Sequence, residues 1–169
     1  MPVPASGLAI EEKETRRIWS VQGNRAQHLS RFISAVFGED SPPRRMLSTD
    51  NYRLLQLWPH KAYLLSDLQT PPTATAGFEP ILTDISFALC ELSLSGERVF
   101  DFVKPYLSVD LNSSSLRTSH HLRCRFAQYS ILLWWDNAND LRILLDRSYA
   151  QSFRYFLEHL MQRHDWNHL

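Results

Sequence analysis

The sequence predicts an α+β fold: a strand–helix–strand–strand unit written twice, its antiparallel sheets carrying helices on one side. Three observations predict it. A short motif recurs, Val21-Gln-Gly-Asn-Arg25-Ala against Leu94-Ser-Gly-Glu-Arg98-Val, with Gly23 and Gly96 at an offset of 73 residues (23 to 96). Around each copy the apolar pattern changes from strand-like to helix-like. Two strand-like runs then follow each helical stretch in the same order.

The element before each motif is a strand, Arg17-Ile-Trp-Ser-Val21 in the first copy and Leu89-Cys-Glu-Leu-Ser-Leu94 in the second. The element after it is a helix. Leu29, Phe32, Ile33, Val36 and Phe37 recur at helical spacing, as do Val99, Phe102, Val103, Tyr106 and Leu107. Tyr52-Arg-Leu-Leu-Gln-Leu-Trp58 then aligns with Tyr129-Ser-Ile-Leu-Leu-Trp-Trp135 at an offset of 77 (52 to 129). Tyr63-Leu-Leu-Ser-Asp67 aligns with Ile143-Leu-Leu-Asp146 at an offset of 80 (63 to 143). The offset grows because the second hairpin has the longer loop, Asp136-Asn-Ala-Asn-Asp140, whose Asn and Asp residues suit a turn. A last helix starts at Ser148, where Ser148 and Gln151 form a capping box, and buries Phe153, Phe156, Leu157, Leu160 and Met161 along one face.

Three stretches read as loops: Gly38 to Arg45, Leu68 to Gly77 with its paired prolines, and the serine run from Asn112. Residues 1–15 are charged without periodicity and are expected to be a flexible tail that orders when a partner holds it. Residues 16–169 are expected to form a single domain with an internal repeat at about 16–67 and 82–164.

Strand 129–135 is apolar on both faces, with Ile131, Leu133 and Trp135 on one and Leu132 and Trp134 on the other. A strand with one wet face alternates apolar and polar residues, so both faces of this one need cover. Chain segments or another subunit supply that cover, and a neighbouring subunit makes Trp58, Trp134 and Trp135 the candidate anchors of a partner interface. If a partner supplies it, the isolated chain is expected to be poorly stable.

Composition excludes several classes. Lys+Arg and Asp+Glu are equal at 18 each, so no field gathers a polyanion, and no nucleic-acid partner is expected. The clusters Arg44-Arg45 and Arg123-x-Arg125 read as solvated surface or local ion pairing. No run of about 18 apolar residues is present and no membrane partner is expected. The first residues lack the charged and apolar regions of a signal peptide, and two cysteines without a CxxC spacing point to the cytoplasm.

The chain carries little chemistry. A dinucleotide fold needs a GxGxxG turn so that backbone can approach the pyrophosphate, and none of the five glycines has that spacing. GxxxxGK and GxSxG motifs are also missing. Cys90 reads as a small buried residue of a strand. His120-His121-Leu-Arg-Cys124 is the one cluster of metal-ligand types, but no second ligand pair accompanies it. His159, His164 and His168 read as histidines favoured by the negative end of the last helix. Asp84 and Asp110 are the carboxylates best placed for acid–base work, and both read as turn or cap residues. No catalytic, cofactor-binding or metal residue is assigned.

Leu82-Thr-Asp-Ile-Ser86, Leu92-Ser-Leu-Ser-Gly96, a helix and then Val109-Asp-Leu111 resemble the folate-binding aminomethyltransferase superfamily, which includes the glycine-cleavage T-protein. Tyr129–Trp135, Leu141-Arg-Ile-Leu-Leu-Asp-Arg-Ser-Tyr-Ala150 and the terminal helix resemble one branch, the gamma subunit of heterotetrameric sarcosine oxidase. Leu54-Leu-Gln-Leu-Trp-Pro-His-Lys-Ala-Tyr-Leu-Leu65 resembles that family's earlier hairpin, with Pro59-His-Lys in place of Pro-Asp-Glu and no glycine before Pro59. Cys124 stands where relatives often carry Thr, so the resemblance extends to a divergent member of the N-methylglutamate dehydrogenase type.

The resemblance implies a fold like the T-protein folate-binding domain and a non-catalytic accessory role. It implies a complex with alpha, beta and delta subunits, chiefly alpha, that demethylates sarcosine or a related N-methyl amino acid. FAD, FMN, NAD and tetrahydrofolate are then expected on the other subunits and no cofactor on this chain. The alternative it implies is a stand-alone folate-binding protein.

Overall fold

The computed structural model describes residues 7–13, 16–38, 46–73, 80–111 and 120–163. The loop expectations over 39–45, 74–77 and 112–115, and those for His164 and His168, lie outside the described residues. The chain divides into two compact units, Thr15–Phe87 and Met1–Glu14 with Ala88–Leu169, where a single domain over 16–169 was expected.

The first unit holds β2 (Arg17–Gln22), α1 (Ala26–Phe37), β3 (Met46–Ser48), β4 (Tyr52–Trp58), β5 (Lys61–Ser66) and β6 (Ile81–Asp84). The second holds β1 (Ala9–Glu12), β7 (Leu89–Ser95), α2 (Val99–Val103), β8 (His121–Phe126), β9 (Tyr129–Asn137), β10 (Asp140–Asp146) and α3 (Arg147–Arg163). Each unit has one five-stranded sheet, ordered β3-β4-β5-β2-β6 and β1-β7-β10-β9-β8, with every pairing antiparallel.

The two sheets repeat one another strand for strand once β1 is matched with β6, β2 with β7, and β3, β4, β5 with β8, β9, β10. Each copy's first strand pairs in the sheet made by the other copy, β1 on β7 and β6 on β2. Within the stretch expected to be a flexible tail, the described residues include β1, which is paired along its length with β7. Glu12 opposes Leu92, Ile10 opposes Leu94, and Leu8 is buried in the core of the second unit. Arg147 ion-pairs Glu12 at 3.0 Å. A stretch this short shows no period of its own, but an existing sheet edge templates it.

Both recurring glycines sit where a side chain has no room. A Cβ on Gly96, whose φ is +145°, would come within 2.5 Å of the Gly7 carbonyl oxygen and 2.7 Å of Leu8 Cδ2. A Cβ on Gly23 would meet the Arg25 carbonyl at 2.9 Å as the chain turns into α1. The glycines therefore permit close backbone approach at the same point of each copy.

Each sheet buries one face under helices. In the first unit Leu29, Phe32 and Ile33 of α1 pack on Trp19, Val21, Leu54 and Leu64. In the second, Val99, Phe102, Phe153 and Leu157 pack on Leu92, Phe126, Leu133 and Ile143. The opposite faces are also buried within the chain: Ile18, Leu55 and Leu65 in one sheet, Leu132, Trp134 and Leu144 in the other. The strand pattern announced that residues on both faces are buried.

The second helix is shorter than its apolar spacing predicts. It gives way to a 3-10 turn, Lys104–Tyr106, because Pro105 has no N–H to continue the ladder. The last helix is capped differently from the expected box. Asp146, not Ser148, accepts from the Ser148 backbone N–H at 2.9 Å, and the Ser148 hydroxyl donates to the same oxygen at 2.5 Å. Asp84 and Ser86 make the same turn before β7, at 2.9 and 2.6 Å.

These bonds from Ser148 hold the Asp146 carboxyl below its ordinary value of 3.8. A folded-state pKa below the unfolded one gives stability that is complete above the unfolded value and disappears as pH falls through the folded value. Asp146→Ala is therefore expected to lower the Tm at neutral pH, and the gap to wild type should close on acidification below pH 3.8. Thermal melts across that range check it, and a gap independent of pH would refute it.

Candidate functional site

The sheet face of the second unit that turns away from α2 and α3 carries a dense group of charges. Strand alternation places Glu91 and Ser93 of β7, Asp140 and Arg142 of β10, and Trp134 and Asp136 of β9 on that face, since their neighbours Leu92, Leu141 and Trp135 belong to the core. The register sets His121, Trp134, Arg142 and Ser93 side by side across four strands.

Arg142 is the hub. Its Nε lies 2.8 Å from Asp136 Oδ2, its Nη2 donates to Asp140 Oδ2 at 3.0 Å, and its Nη1 lies 3.7 Å from Glu91 Oε1. Asp140 Oδ1 accepts from the Ser93 hydroxyl at 2.8 Å, and Asp136 Oδ1 accepts from Trp134 Nε1 at 3.2 Å. The Glu91 side chain is 1% exposed and Arg142 is 13% exposed. Charges this sequestered persist only when paired, so the guanidinium and the carboxylates hold one another in place. Acid–base work needs a carboxylate that meets a reactant, and Glu91 is closed to solvent.

This group was not singled out from the sequence. Asp84 lies elsewhere and closes a turn with Ser86, whose two hydrogen bonds hold its carboxyl below the usual range, helped by Arg17 at 3.3 Å. Asp110 is exposed beyond the 3-10 turn. The carboxylates that do come together, Glu91, Asp136 and Asp140, lie on three strands, and only the register relates them. Asp136 and Asp140 were expected in a loop. The turn is confined to Ala138 and Asn139, with the Asn139 N–H bonded to Asn137 Oδ1 at 2.9 Å, because Arg142 holds both aspartates beside the strands.

Of the three tryptophans expected at a partner interface, Trp134 and Trp135 are buried within the chain. Trp135 belongs to the helix-side core, where it meets the Phe100 ring at 6.0 Å, so neither indole is available to a partner. Trp58 differs: it is 56% exposed.

His120 and His121 open β8, with His121 buried. Among the described residues no group of three or more His, Cys, Asp or Glu side chains is arranged to hold a metal ion. Cys90 and Cys124 are buried, and burial pushes both thiols up to about 12, with a hydrogen bond to Glu12 adding to the rise at Cys90. A thiol reacts through its thiolate. Neither cysteine is expected to react with a thiol reagent at pH 8 in the folded protein, and both should react after denaturation. Rapid labelling of either in the native chain would contradict the buried placement. No described helix is long and apolar enough to cross a membrane.

No protein-family model and no curated protein sequence matches the chain. Among solved structures, a chain of the heterotetrameric sarcosine oxidase from Corynebacterium sp. U-96, in complex with pyrrole 2-carboxylate, is similar with a TM-score of 0.74 at 15% identity. That likeness covers 94% of this chain and 85% of that one. The glycine cleavage system aminomethyltransferase T from Bartonella henselae is similar with a TM-score of 0.57 at 15% identity, over 89% of this chain and 45% of that one. The chain thus spans less than half the length of the aminomethyltransferase. At such identities the likeness establishes the fold: two antiparallel sheets with helices, as in these sarcosine oxidase and aminomethyltransferase chains.

Proposed function

We propose that the chain is a non-catalytic accessory subunit, of the gamma type, in a complex that oxidatively demethylates sarcosine or a related N-methyl amino acid in the cytoplasm. Alpha, beta and delta subunits would be its neighbours, chiefly alpha, and FAD, FMN, NAD and tetrahydrofolate would reside on them. The observation that carries the reading is extent. The likeness to a sarcosine oxidase chain covers most of both molecules, 94% and 85%, as expected for a subunit matched to a subunit. The charged group around Arg142 agrees, since its members are sequestered and engaged with one another.

A stand-alone folate-binding protein is the second reading, favoured by the aminomethyltransferase likeness at a TM-score of 0.57. Two measurements separate them. The full chain, tagged and isolated from the cells that make it, should bring flavin absorbance and sarcosine- or N-methyl-amino-acid-dependent electron transfer with it. Titration of the isolated chain with tetrahydrofolate should give no micromolar binding. A flavin-free preparation that binds tetrahydrofolate would replace the first reading with the second.

A further inference from the structure

In the first unit, the sheet face turned away from α1 changes character along its strands. At one end Ile18 and Leu65 are buried side by side. At the other the register aligns Ile81, Gln22, Lys61 and Trp58 across β6, β2, β5 and β4. A bulge between Gln56 and Trp58 brings the indole opposite Lys61. Trp58 is 56% exposed and Ile81 60% exposed, so the row ends in two large apolar side chains open to solvent. Neighbouring strands lie about 4.8 Å apart, which makes the row about 14 Å long.

Two formal cations belong to this end of the sheet, Lys61 in the row and Arg25 just beyond Gly23. The Gly23 N–H bonds the His60 carbonyl at 2.9 Å, which fixes the β4–β5 turn against the segment leading to Arg25. Arg25 is exposed and Lys61 is half-buried, and neither forms an ion pair among the described residues. Residues 20–25, 57–62 and 80–83 contain no Asp or Glu. A row with an exposed apolar side chain at each end and Lys61 between them is complementary to an acidic surface that offers apolar pockets. With Lys+Arg and Asp+Glu equal at 18 over the chain, the basic character is local, which suits a protein contact better than a polyanion.

We infer that the Ile81–Trp58 row is the docking strip for an acidic face of a neighbouring subunit, with Trp58 as the anchor. The inference rests on the accessory-subunit reading and names the surface through which that role is exercised. Tyr155 of α3, 72% exposed on the other unit, supplies a control aromatic outside the strip.

The test uses the tagged full chain as wild type, Trp58→Ser, Lys61→Glu and Tyr155→Ser, isolated from cells that make the complex. Flavin absorbance per mole of tagged chain is the readout, and thermal melts verify that the variants fold. Trp58→Ser is expected to lower flavin recovery at least about tenfold, as loss of a central interface tryptophan does. Lys61→Glu should lower it most at low salt, with the deficit narrowing as salt screens the charge. Tyr155→Ser should match wild type.

Full recovery with Trp58→Ser, while wild type carries flavin, overturns the strip and leaves the accessory role standing. A wild-type chain that carries no flavin overturns both. A homodimer of the isolated chain that Trp58→Ser dissolves would make a second copy the occupant and overturn the inference. Trp58-dependent binding to anionic vesicles would do the same in favour of a lipid surface.

Discussion

Phe153→Ala is expected to destabilise the chain by about 3–5 kcal/mol, the range for deleting a buried aromatic side chain. Phe153 is fully buried where α3 lies on the sheet. Its ring meets Tyr129 at 4.9 Å and Phe126 at 5.4 Å, both edge-on, an arrangement that matches ring edges to ring faces. Phe126 in turn stacks on Tyr106 at 5.7 Å, so one ring sits at the junction of β8, β9, α3 and the 3-10 turn. Alanine leaves a void that stiff neighbouring rings cannot close. Phe153→Leu keeps most of the volume and should cost less than about half as much. Urea unfolding measures both through the midpoint, with the slope unchanged. An alanine variant within about 0.5 kcal/mol of wild type would mean that α3 is not packed as described.

Phe153 also shows what the sequence made legible. The stripe Phe153, Phe156, Leu157, Leu160, Met161 has a helical period strong enough to be read without knowing its partner, and all five pack on the second unit's core. The long apolar strands β4 and β9 and the duplicated order were legible for the same reason: their pattern repeats over enough residues to be distinctive. Four strands were not. β1, β3 and β6 have four, three and four residues, too few for a period, and they exist because a sheet edge accepts them. β8 did carry a signal, with Leu122, Cys124 and Phe126 alternating against His121, Arg123 and Arg125.

The site was less legible than the fold, and Arg142 shows why. Asp140 and Arg142 are two apart, but Glu91 is reached only through the pairing of β7 with β10, which places it opposite Leu144 and diagonal to Arg142. Spacing along the chain holds no trace of that relation. Trp134 and Trp135 were misplaced for a similar reason. A sequence reports that a residue seeks cover, but the source of the cover is a property of the folded chain.

Arg142→Met removes the guanidinium while keeping most of the side-chain volume, and it takes away the cation that lies 3.7 Å from the Glu91 carboxylate, which is 1% exposed. The expected cost is about 3–5 kcal/mol, the range for breaking one side of a buried ion pair. Asp136 and Asp140, at 17% and 19% exposed, reach water more readily and contribute less to that loss. The double variant Arg142→Met with Glu91→Leu should regain most of it, because the stranded charge is gone and the space is filled. A double-mutant cycle by urea unfolding checks this through a coupling energy of at least about 1 kcal/mol. A single variant costing less than about 1 kcal/mol, or a double variant as weak as the sum of its parts, would show that the pairing carries no weight. What the network supplies beyond energy is register. A slip of β10 by one residue would turn Arg142 into the core beside Leu133 and carry Ile143 out of it, so the buried ions admit one alignment where an all-apolar face would tolerate several. The double variant should then melt less cooperatively than wild type even where its midpoint recovers.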